Sequence, residues 1–490
     1  MPRPTLPSLL ALALPLAACT AGPDYHPRSA TELGVPDSYS VAANQAARED
    51  LTRWWQKFDD PVLGSLVERA QAANLDIAQA VVRLRQARES LVQQRASLFP
   101  SVSASAGVSR SEPLRGGTTT TTLPDGSVTS FSQGGNTSFS LGGDANYQVD
   151  LFGGVRRGVQ SARASYEAAG FDYAAVLISI QAETARNYVL ARLAQANLAN
   201  ARDSLGLQDD NLQIAQWRVQ AGLVSSLDAE QARAQRAQTA ASIPTLEANY
   251  NGFVSRLGVL TGQAPGALKG ELEAVKPIPR GPGIVQAGIP ADALRQRPDI
   301  RAAERNLAAA TAQIGVAQAQ LYPSLAIGGS IDAGSSALSS IFDVLTGRLF
   351  GNIAQTIFDA GRTRSQIRSA QAAADGAFLA YKSTVLTSLE DIENAIVALQ
   401  AAQRREAEFR IALDASNNQA LLARLQYRSG LTDFITLNQA ESSLLSARNG
   451  LSQAQSDQAT ALIQLYTALG GGWDARVTPQ APITGGTNGN

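Results

Sequence analysis

The sequence predicts a mainly α-helical chain with a small membrane-inserted β part, built as two copies of one unit. Three observations lead there. Residues 153–262 recur as 361–470 at one fixed offset. Most of each copy is long, almost proline-free helix with a heptad seam. Ahead of each helical run lie two short segments with period-two alternation, poorer in the last of them.

The repeat comes first. Adding 208 carries Gly153, Arg156, Ser161, Ala162 and Ala164 onto Gly361, Arg364, Ser369, Ala370 and Ala372. It also carries Tyr173 onto Tyr381, Gly222 onto Gly430, Leu223 onto Leu431, Gln231 onto Gln439 and Gly262 onto Gly470. Such a gapless match over a long stretch marks a duplication, and overlooking it would misassign the fold.

Each copy reads as long helix, short break, long helix. From Val155 to Gln220 there is no proline and there are only three glycines, among residues that favour helix. Leu198, Ala201, Leu205, Gln208, Leu212, Ala215 and Val219 step by three and four, and Phe409, Leu413, Ser416, Ala420, Ala423 and Tyr427 repeat the pattern. That 3.5-residue period predicts coiled-coil packing. At 1.5 Å per residue, a run of some 60 residues reaches roughly 90–100 Å, longer than an ordinary domain is wide. The breaks, Ala221–Ser226 and Ser429–Asp433, place a glycine after a helical run and a Ser or Asp before the next, the signs of a helix stop and a new N-cap. Each copy is therefore expected to be a helical hairpin turning at Gly222-Leu223 or Gly430-Leu431.

The N-terminus carries a different signal. Met1 to Ala18 has a cationic start at Arg3 and an apolar core from Leu9 to Leu16. It reads as a secretory signal, too short to span a bilayer. Its end, Leu16-Ala17-Ala18-Cys19, resembles a bacterial lipobox. In that chemistry the sulfur of Cys19 takes a diacylglyceryl group and the new N-terminus is acylated. The following Thr20, in place of Asp, points by the same resemblance to the outer membrane. With one cysteine and one histidine in 490 residues, no internal disulfide, catalytic triad or Cys/His metal cluster can be assembled. The net charge of −1 gives no nucleic-acid footprint. No acid/base constellation stands out, so no enzyme is expected. No cofactor is expected either, apart from the covalent lipid on Cys19.

In chain order, Ala21 to Glu49 reads as an extended tether. Trp54-Trp55-Gln56-Lys57-Phe58 then precedes a helix capped by Asp60 with Pro61 at its first position, running to about Leu98. Beyond Phe99-Pro100, Val102, Ala104, Ala106 and Val108 alternate with serines, a strand with one apolar and one polar face. Residues 116–135, with Thr118–Thr122 and Pro124-Asp125-Gly126, read as a long polar loop. A second strand places Phe139, Leu141, Ala145, Tyr147, Val149 and Leu151 opposite Ser138, Ser140, Asp144, Asn146, Gln148 and Asp150. After the first hairpin, a Pro/Gly-rich linker leads to Arg297-Pro298-Asp299-Ile300, which opens a helix ending at Leu321-Tyr322-Pro323-Ser324. Further strands are expected at Leu325–Ile331 and Arg348–Phe358.

Short two-faced strands behind a secretory signal have the form of a transmembrane barrel. No barrel edge stays unpaired in lipid, and one chain supplies only four strands, so copies must combine. A dimer gives eight strands, with a filled interior. A trimer gives twelve, with room for a lumen that the serine-rich faces would line, and the trimer is preferred. The competing architecture is a lipid-anchored periplasmic coiled-coil scaffold without a pore.

The whole plan resembles the TolC-type outer-membrane efflux channels, most closely the lipoprotein branch (the NodT lineage) that serves resistance-nodulation-division pumps. The residues that carry the resemblance are the lipobox with Ala21-Gly22-Pro23-Asp24-Tyr25, Trp54-Trp55 with Phe58, Asn74-Leu75-Asp76-Ile77 and Asp150-Leu151-Phe152-Gly153. Arg297-Pro298-Asp299-Ile300-Arg301-Ala302-Ala303-Glu304, Leu321-Tyr322-Pro323-Ser324 and Leu469-Gly470-Gly471-Gly472-Trp473 complete the set. The resemblance implies a homotrimer with a 12-stranded β-barrel and a periplasmic α-helical barrel, no enzymatic activity, and export of small molecules with a periplasmic adaptor and an inner-membrane transporter. It divides the chain into a lipoprotein signal (1–18), a tether with equatorial helix (19–97), a first repeat (98–262), an equatorial linker (263–296), a second repeat (297–470) and a tail (471–490). It also implies a periplasmic gate near the hairpin turns, with Tyr427 and Arg428 at tether positions and Ile435 at an apolar constriction. Gln439 stands where many relatives carry a gate aspartate, with Asp433 and Glu441 as neighbouring carboxylates. Gly222, Leu223, Asp228, Gly430 and Leu431 are the expected adaptor contacts. Met1 and His26, the only methionine and histidine, offer no soft-metal relay.

Overall fold

The computed structural model describes residues 20–41, 50–115, 118–132, 135–285 and 287–480. Cys19 and the signal segment lie outside the described residues. The elements in order are α1 (Pro61–Ala73), α2 (Leu75–Ala96), β1 (Ser101–Ser111), β2 (Thr118–Thr122), β3 (Val128–Ser132), β4 (Asn136–Val149), α3 (Gly154–Gln220) and α4 (Ser226–Leu260). Then come two short helices, α5 (Lys269–Leu272) and α6 (Pro290–Gln296), followed by α7 (Pro298–Ala319), β5 (Ser324–Ser335), β6 (Leu345–Ala354), α8 (Arg362–Arg428) and α9 (Phe434–Ala468).

The duplication holds to the residue. Helices α3 and α8 are each 67 residues long, α4 and α9 each 35, and adding 208 to the bounds of α3 and α4 gives those of α8 and α9. Glycine explains the fidelity. Gly222 and Gly430 both sit at positive φ (70° and 75°), a conformation that costs other residues a steric penalty. At each, two backbone bonds close the helix: Gly222 N–H donates to Val219 O and Leu223 N–H to Arg218 O, while Gly430 N–H donates to Tyr427 O and Leu431 N–H to Gln426 O. This is a Schellman motif, made twice.

The chain divides into two units. One holds the residues up to His26, Arg88–Ser165 and Leu307–Ala377. Its centre is a four-stranded antiparallel sheet in the order β1-β4-β5-β6. Two sequence expectations change here. The stretch taken as a polar loop contains the hairpin β2–β3, paired from Thr118↔Ser132 to Thr122↔Val128. Its turn is closed by Gly126 N–H donating to Leu123 O, and the Asp125 carboxylate accepts from the Ser127 N–H at 2.9 Å. Successive β-branched threonines favour strand, and that preference prevails over their polarity. The fourth strand also runs earlier than expected, Leu345–Ala354 rather than Arg348–Phe358.

The other unit holds Pro27–Ala87, Tyr166–Asn306 and the chain from Phe378 onward. Its core gathers Trp54, Trp55, Phe58, Leu63, Leu66, Tyr188, Val254, Leu257, Ile392, Leu462 and Tyr466. Asp60 caps α1 as expected, its Oδ1 accepting from the N–H groups of Val62 (2.9 Å) and Leu63 (3.2 Å). The helix expected from there to about Leu98 is broken at Asn74. Its backbone is extended (φ −68°, ψ 134°), its Oδ1 accepts from the N–H of Asp76 (2.8 Å) and Ile77 (3.2 Å), and its Nδ2 donates to Leu260 O at 3.0 Å. One asparagine thus ends α1, starts α2 and ties both to the end of α4. The linker is also less irregular than its composition implied, since it carries α5 and α6.

The heptad seam is where the period placed it. Ala201, Gln208, Ala215, Ala420, Ala423 and Tyr427 are buried, and the seam residues between them are half-buried.

Candidate channel wall and hairpin tips

The wall is the four-stranded sheet. Its register brings Val102, Ala145, Gly329 and Leu349 into one row, and Ala106, Leu141, Ala333 and Leu345 into another. These share one face, on which Ile327, Ile331 and Ile353 also lie. The opposite face has the rows Ser103–Asp144–Ser330–Arg348 and Ser101–Asn146–Gly328–Phe350. Alternation within each strand thus becomes one apolar and one polar face across all four strands, except towards the end of β1, where Arg110 follows Val108 on the apolar side. The apolar face is bare in a single chain: Leu349 is 87% exposed, Val102 80% and Ile353 72%. Among the described residues, the outermost strands, β1 and β6, each pair on one side only.

In the same unit, the N-terminal segment is clasped. Arg157, nearly fully buried, donates from Nε to Ala21 O (3.0 Å) and from NH2 to Gly22 O (3.0 Å), and its NH1 pairs with the Asp24 carboxylate at 2.8 Å. Ala21 N–H donates to Phe152 O at 2.9 Å. Tyr25 packs on Ala164, Ala308 and Ala309. The lipobox resemblance pointed to residues 21–25, but it offered no sign of the buried arginine that receives them.

The hairpin tips belong to the other unit. Ala215, Ala232, Ala423, Tyr427, Phe434, Leu437 and Ala440 form a small core there. Tyr427 is buried in it, edge-on to Phe434 (6.0 Å between centroids), with the Arg218 guanidinium 4.7 Å from its ring centre. Asp433 caps α9, accepting from the Thr436 N–H at 2.9 Å, and the Thr436 hydroxyl and N–H hold its carboxyl below the ordinary range. Arg428 and Gln439 are exposed, as are Leu431 (79%) and Ile435 (61%). On the first hairpin Gly222 and Leu223 are exposed and Asp228 is half-buried. Glu441 lies apart from these. It is buried, with Oε1 accepting from Arg424 Nε at 2.9 Å and Oε2 from Asn211 Nδ2 at 2.8 Å. It is committed to joining α3, α8 and α9, so it is not free to supply a charge ring at the tip.

The Arg-Pro-Asp-Ile-Arg motif is structural. Arg297 donates to Asp299, Asp391 and the Ala468 carbonyl (3.2 Å), tying the start of α7 to the end of α9. Arg301 lies against Phe171 (4.3 Å) and Trp473 (5.6 Å) and donates to Ala475 O. Among the described residues, no group of three or more His, Cys, Asp or Glu could hold a metal ion, and no helix is long and apolar enough to cross a membrane.

A duplicated pair of long helical hairpins, carried with a two-faced β-sheet, defines the class of outer-membrane channels with a large helical periplasmic part. Comparison with known proteins agrees. The sequence matches the family described as "Outer membrane efflux protein" over residues 66–263 and 289–471. It is 31% identical to nodulation protein T of Rhizobium leguminosarum bv. trifolii, covering 94% of this chain and 96% of that protein. It is 32% identical to the pyoverdine export outer membrane protein OpmQ of Pseudomonas putida, covering 95% and 97%. The solved outer-membrane channel OprN superposes with a TM-score of 0.81 at 32% identity, over 93% of this chain and all of that one. The chain belongs to the outer membrane efflux protein family. It is an outer-membrane conduit of tripartite efflux pumps, not an enzyme, and it works with an adaptor and an inner-membrane transporter. The pore-free scaffold is thereby set aside.

Proposed function

We propose that three copies close one barrel of twelve strands and that their helical hairpins form a periplasmic helical barrel, together an export duct for small organic molecules. The observation that carries this reading is the sheet order: among the described residues, β1 and β6 each leave one edge unpaired beside an exposed apolar face. Lipid tolerates neither an open edge nor exposed polar backbone, and twelve strands leave a lumen where eight would be filled. The apolar face then meets lipid and the polar face lines the duct.

Three finer assignments accompany the reading. Cys19 carries the lipid, one residue ahead of the clasped segment. The exposed Arg428, Ile435 and Gln439, with Tyr427 and Asp433 fixing the turn behind them, form the periplasmic gate. Gly222, Leu223, Asp228, Gly430 and Leu431 present the tips to the adaptor, and the partner pump is of the resistance-nodulation-division type. The six segments laid out from the sequence serve as the signal, tether, two repeats, linker and tail of this duct. The pyoverdine export named for one relative is the kind of cargo such a duct carries.

The test is the oligomeric state in detergent, by light scattering with the detergent subtracted. A heat-resistant particle of three chain masses is expected. A monomer soluble without detergent overturns the reading.

A further inference from the structure

The polar face of the sheet is almost uncharged. Along β1 it presents Ser101, Ser103, Ser105, Gly107, Ser109 and Ser111. Along the other three strands its only charged residues are Asp144, Asp332 and Arg348. These three fall in two neighbouring rows: Ser103–Asp144–Ser330–Arg348, and Ser105–Gly142–Asp332–Thr346. Within the four strands, charge on this face is thus confined to these two neighbouring rows.

The band is built, not merely populated. The Asp332 side chain lies across Gly142: a Cβ at Gly142 would stand 3.0 Å from Asp332 Oδ1 and 3.2 Å from Ser105 Oγ. The Ser330 hydroxyl donates to Asp332 Oδ2 at 2.8 Å, which fixes the carboxylate against the wall. One row away Phe350 lies across Gly328 in the same manner, its ring occupying the place a Cβ would take. Glycine in the facing strand therefore lets each larger side chain lie flat, so that the charge sits on the wall and leaves the space before it open.

We infer that Asp144, Asp332 and Arg348 form the charge-selective band of the β-barrel and give its lumen a preference for cations. This rests on the trimeric barrel proposed above. Each chain brings two carboxylates and one guanidinium, so three chains make a ring with carboxylates in twofold excess. A ring of fixed charge in a narrow, low-dielectric wall raises the local concentration of the opposite ion and sets which sign of permeant passes. The same bias extends to cargo: an organic cation meets a favourable potential at this level, and an organic anion an opposing one.

The experiment is planar-bilayer recording of the purified full-length protein in a KCl gradient, in a background where Ile435→Ala loosens the tip. The parent channel should pass potassium in preference to chloride. Asp144→Asn with Asp332→Asn keeps side-chain shape and the Ser330 bond, and should lower the potassium-to-chloride permeability ratio by about twofold or more. Arg348→Gln should raise it. Opposite shifts from neutralising opposite charges cannot come from general distortion, and either variant alone decides the question if the other fails to assemble. A ratio unmoved by both overturns the band while leaving the duct intact. Absence of any conductance overturns the duct itself, and the band with it.

Discussion

Gly22 and Gly315 meet backbone to backbone. A Cβ built on Gly22 would clash with the Cα of Gly315, and one built on Gly315 would stand 2.7 Å from the Ala21 carbonyl oxygen. Only two glycines allow the N-terminal segment to lie this close to α7, and the closeness brings the Ala21 and Gly22 carbonyls within reach of Arg157.

The first prediction follows from that contact. Gly315→Val, or Arg157→Gln, releases residues 20–25 while the sheet and helices persist. In hydrogen exchange, the Ala21 N–H, held by Phe152 O at 2.9 Å, should lose its protection in both variants, while amides within β4 and β5 keep theirs. Unchanged protection at Ala21 would mean that the segment is held by other means.

A second prediction concerns Asp60, which has two duties. One oxygen caps α1, and the other accepts from the buried Tyr188 hydroxyl at 2.7 Å. Asp60→Ala removes a cap worth about 1 kcal/mol and strands a buried hydroxyl at about 1–3 kcal/mol more. Tyr188→Phe removes only the hydrogen bond and should cost about 0.5–1.5 kcal/mol. Thermal unfolding of the two variants should rank them in that order, and equal Tm losses would refute the double role.

These contacts separate what the sequence displayed from what it hid. Helix bounds were legible because they rest on local chemistry that the duplication writes twice, as at Gly222 and Gly430. The β2–β3 hairpin is masked in the sequence because its threonines look like loop by polarity, although five β-branched residues before Pro-Asp-Gly favour a strand and a turn. The break at Asn74 was hidden because the apolar period runs on through it, and what stops the helix includes a bond to Leu260, distant in sequence. At the tips, the turns at Gly222-Leu223 and Gly430-Leu431 were legible from the helix-stop residues, whereas the gate and adaptor positions came from the family resemblance. The burial of Tyr427 under Arg218 and the pairing of Glu441 depend on a second hairpin packed against the first, and no single stretch of sequence displays that.

The third prediction uses that pairing. Glu441→Ala leaves the Arg424 guanidinium, whose NH2 already has no partner, without its carboxylate at a largely buried site. Breaking one side of such a pair costs about 3–5 kcal/mol, whereas replacing both members with apolar residues of similar size is often close to neutral. Glu441→Leu combined with Arg424→Met should therefore recover most of the stability lost in Glu441→Ala. A double variant no more stable than the single would show that the ion pair itself, not the stranded charge, carries the contribution.

The fourth prediction is a pH dependence. Burial, with the Glu304 charge adding to it, pushes the Tyr381 hydroxyl from its usual 10.0 up to about 12. The folded chain thus holds this proton more tightly than the unfolded chain does. The resulting stability is fully present below pH 10 and is lost as the pH rises towards about 12. Tyr381→Phe should flatten the fall in stability across that window and leave the neutral range little changed. An alkaline profile identical in the two proteins would remove Tyr381 as its source.

The fifth prediction sets one face of β6 against the other. Leu349 lies in the apolar row with Val102, Ala145 and Gly329, whereas Thr346 lies three residues earlier on the polar face, paired with Asp332. If the apolar face meets lipid, Leu349→Arg puts a cation into hydrocarbon at a cost of about 2–4 kcal/mol in every chain, and the trimer pays it three times. Thr346→Arg places the same charge towards water, beside a carboxylate, at little cost. Heat-resistant trimer in outer-membrane fractions should therefore fall sharply in the first variant and persist in the second. The comparison holds side chain, strand and helix content constant and changes only the face, so an equal loss from both would reverse the assignment of lipid and lumen sides.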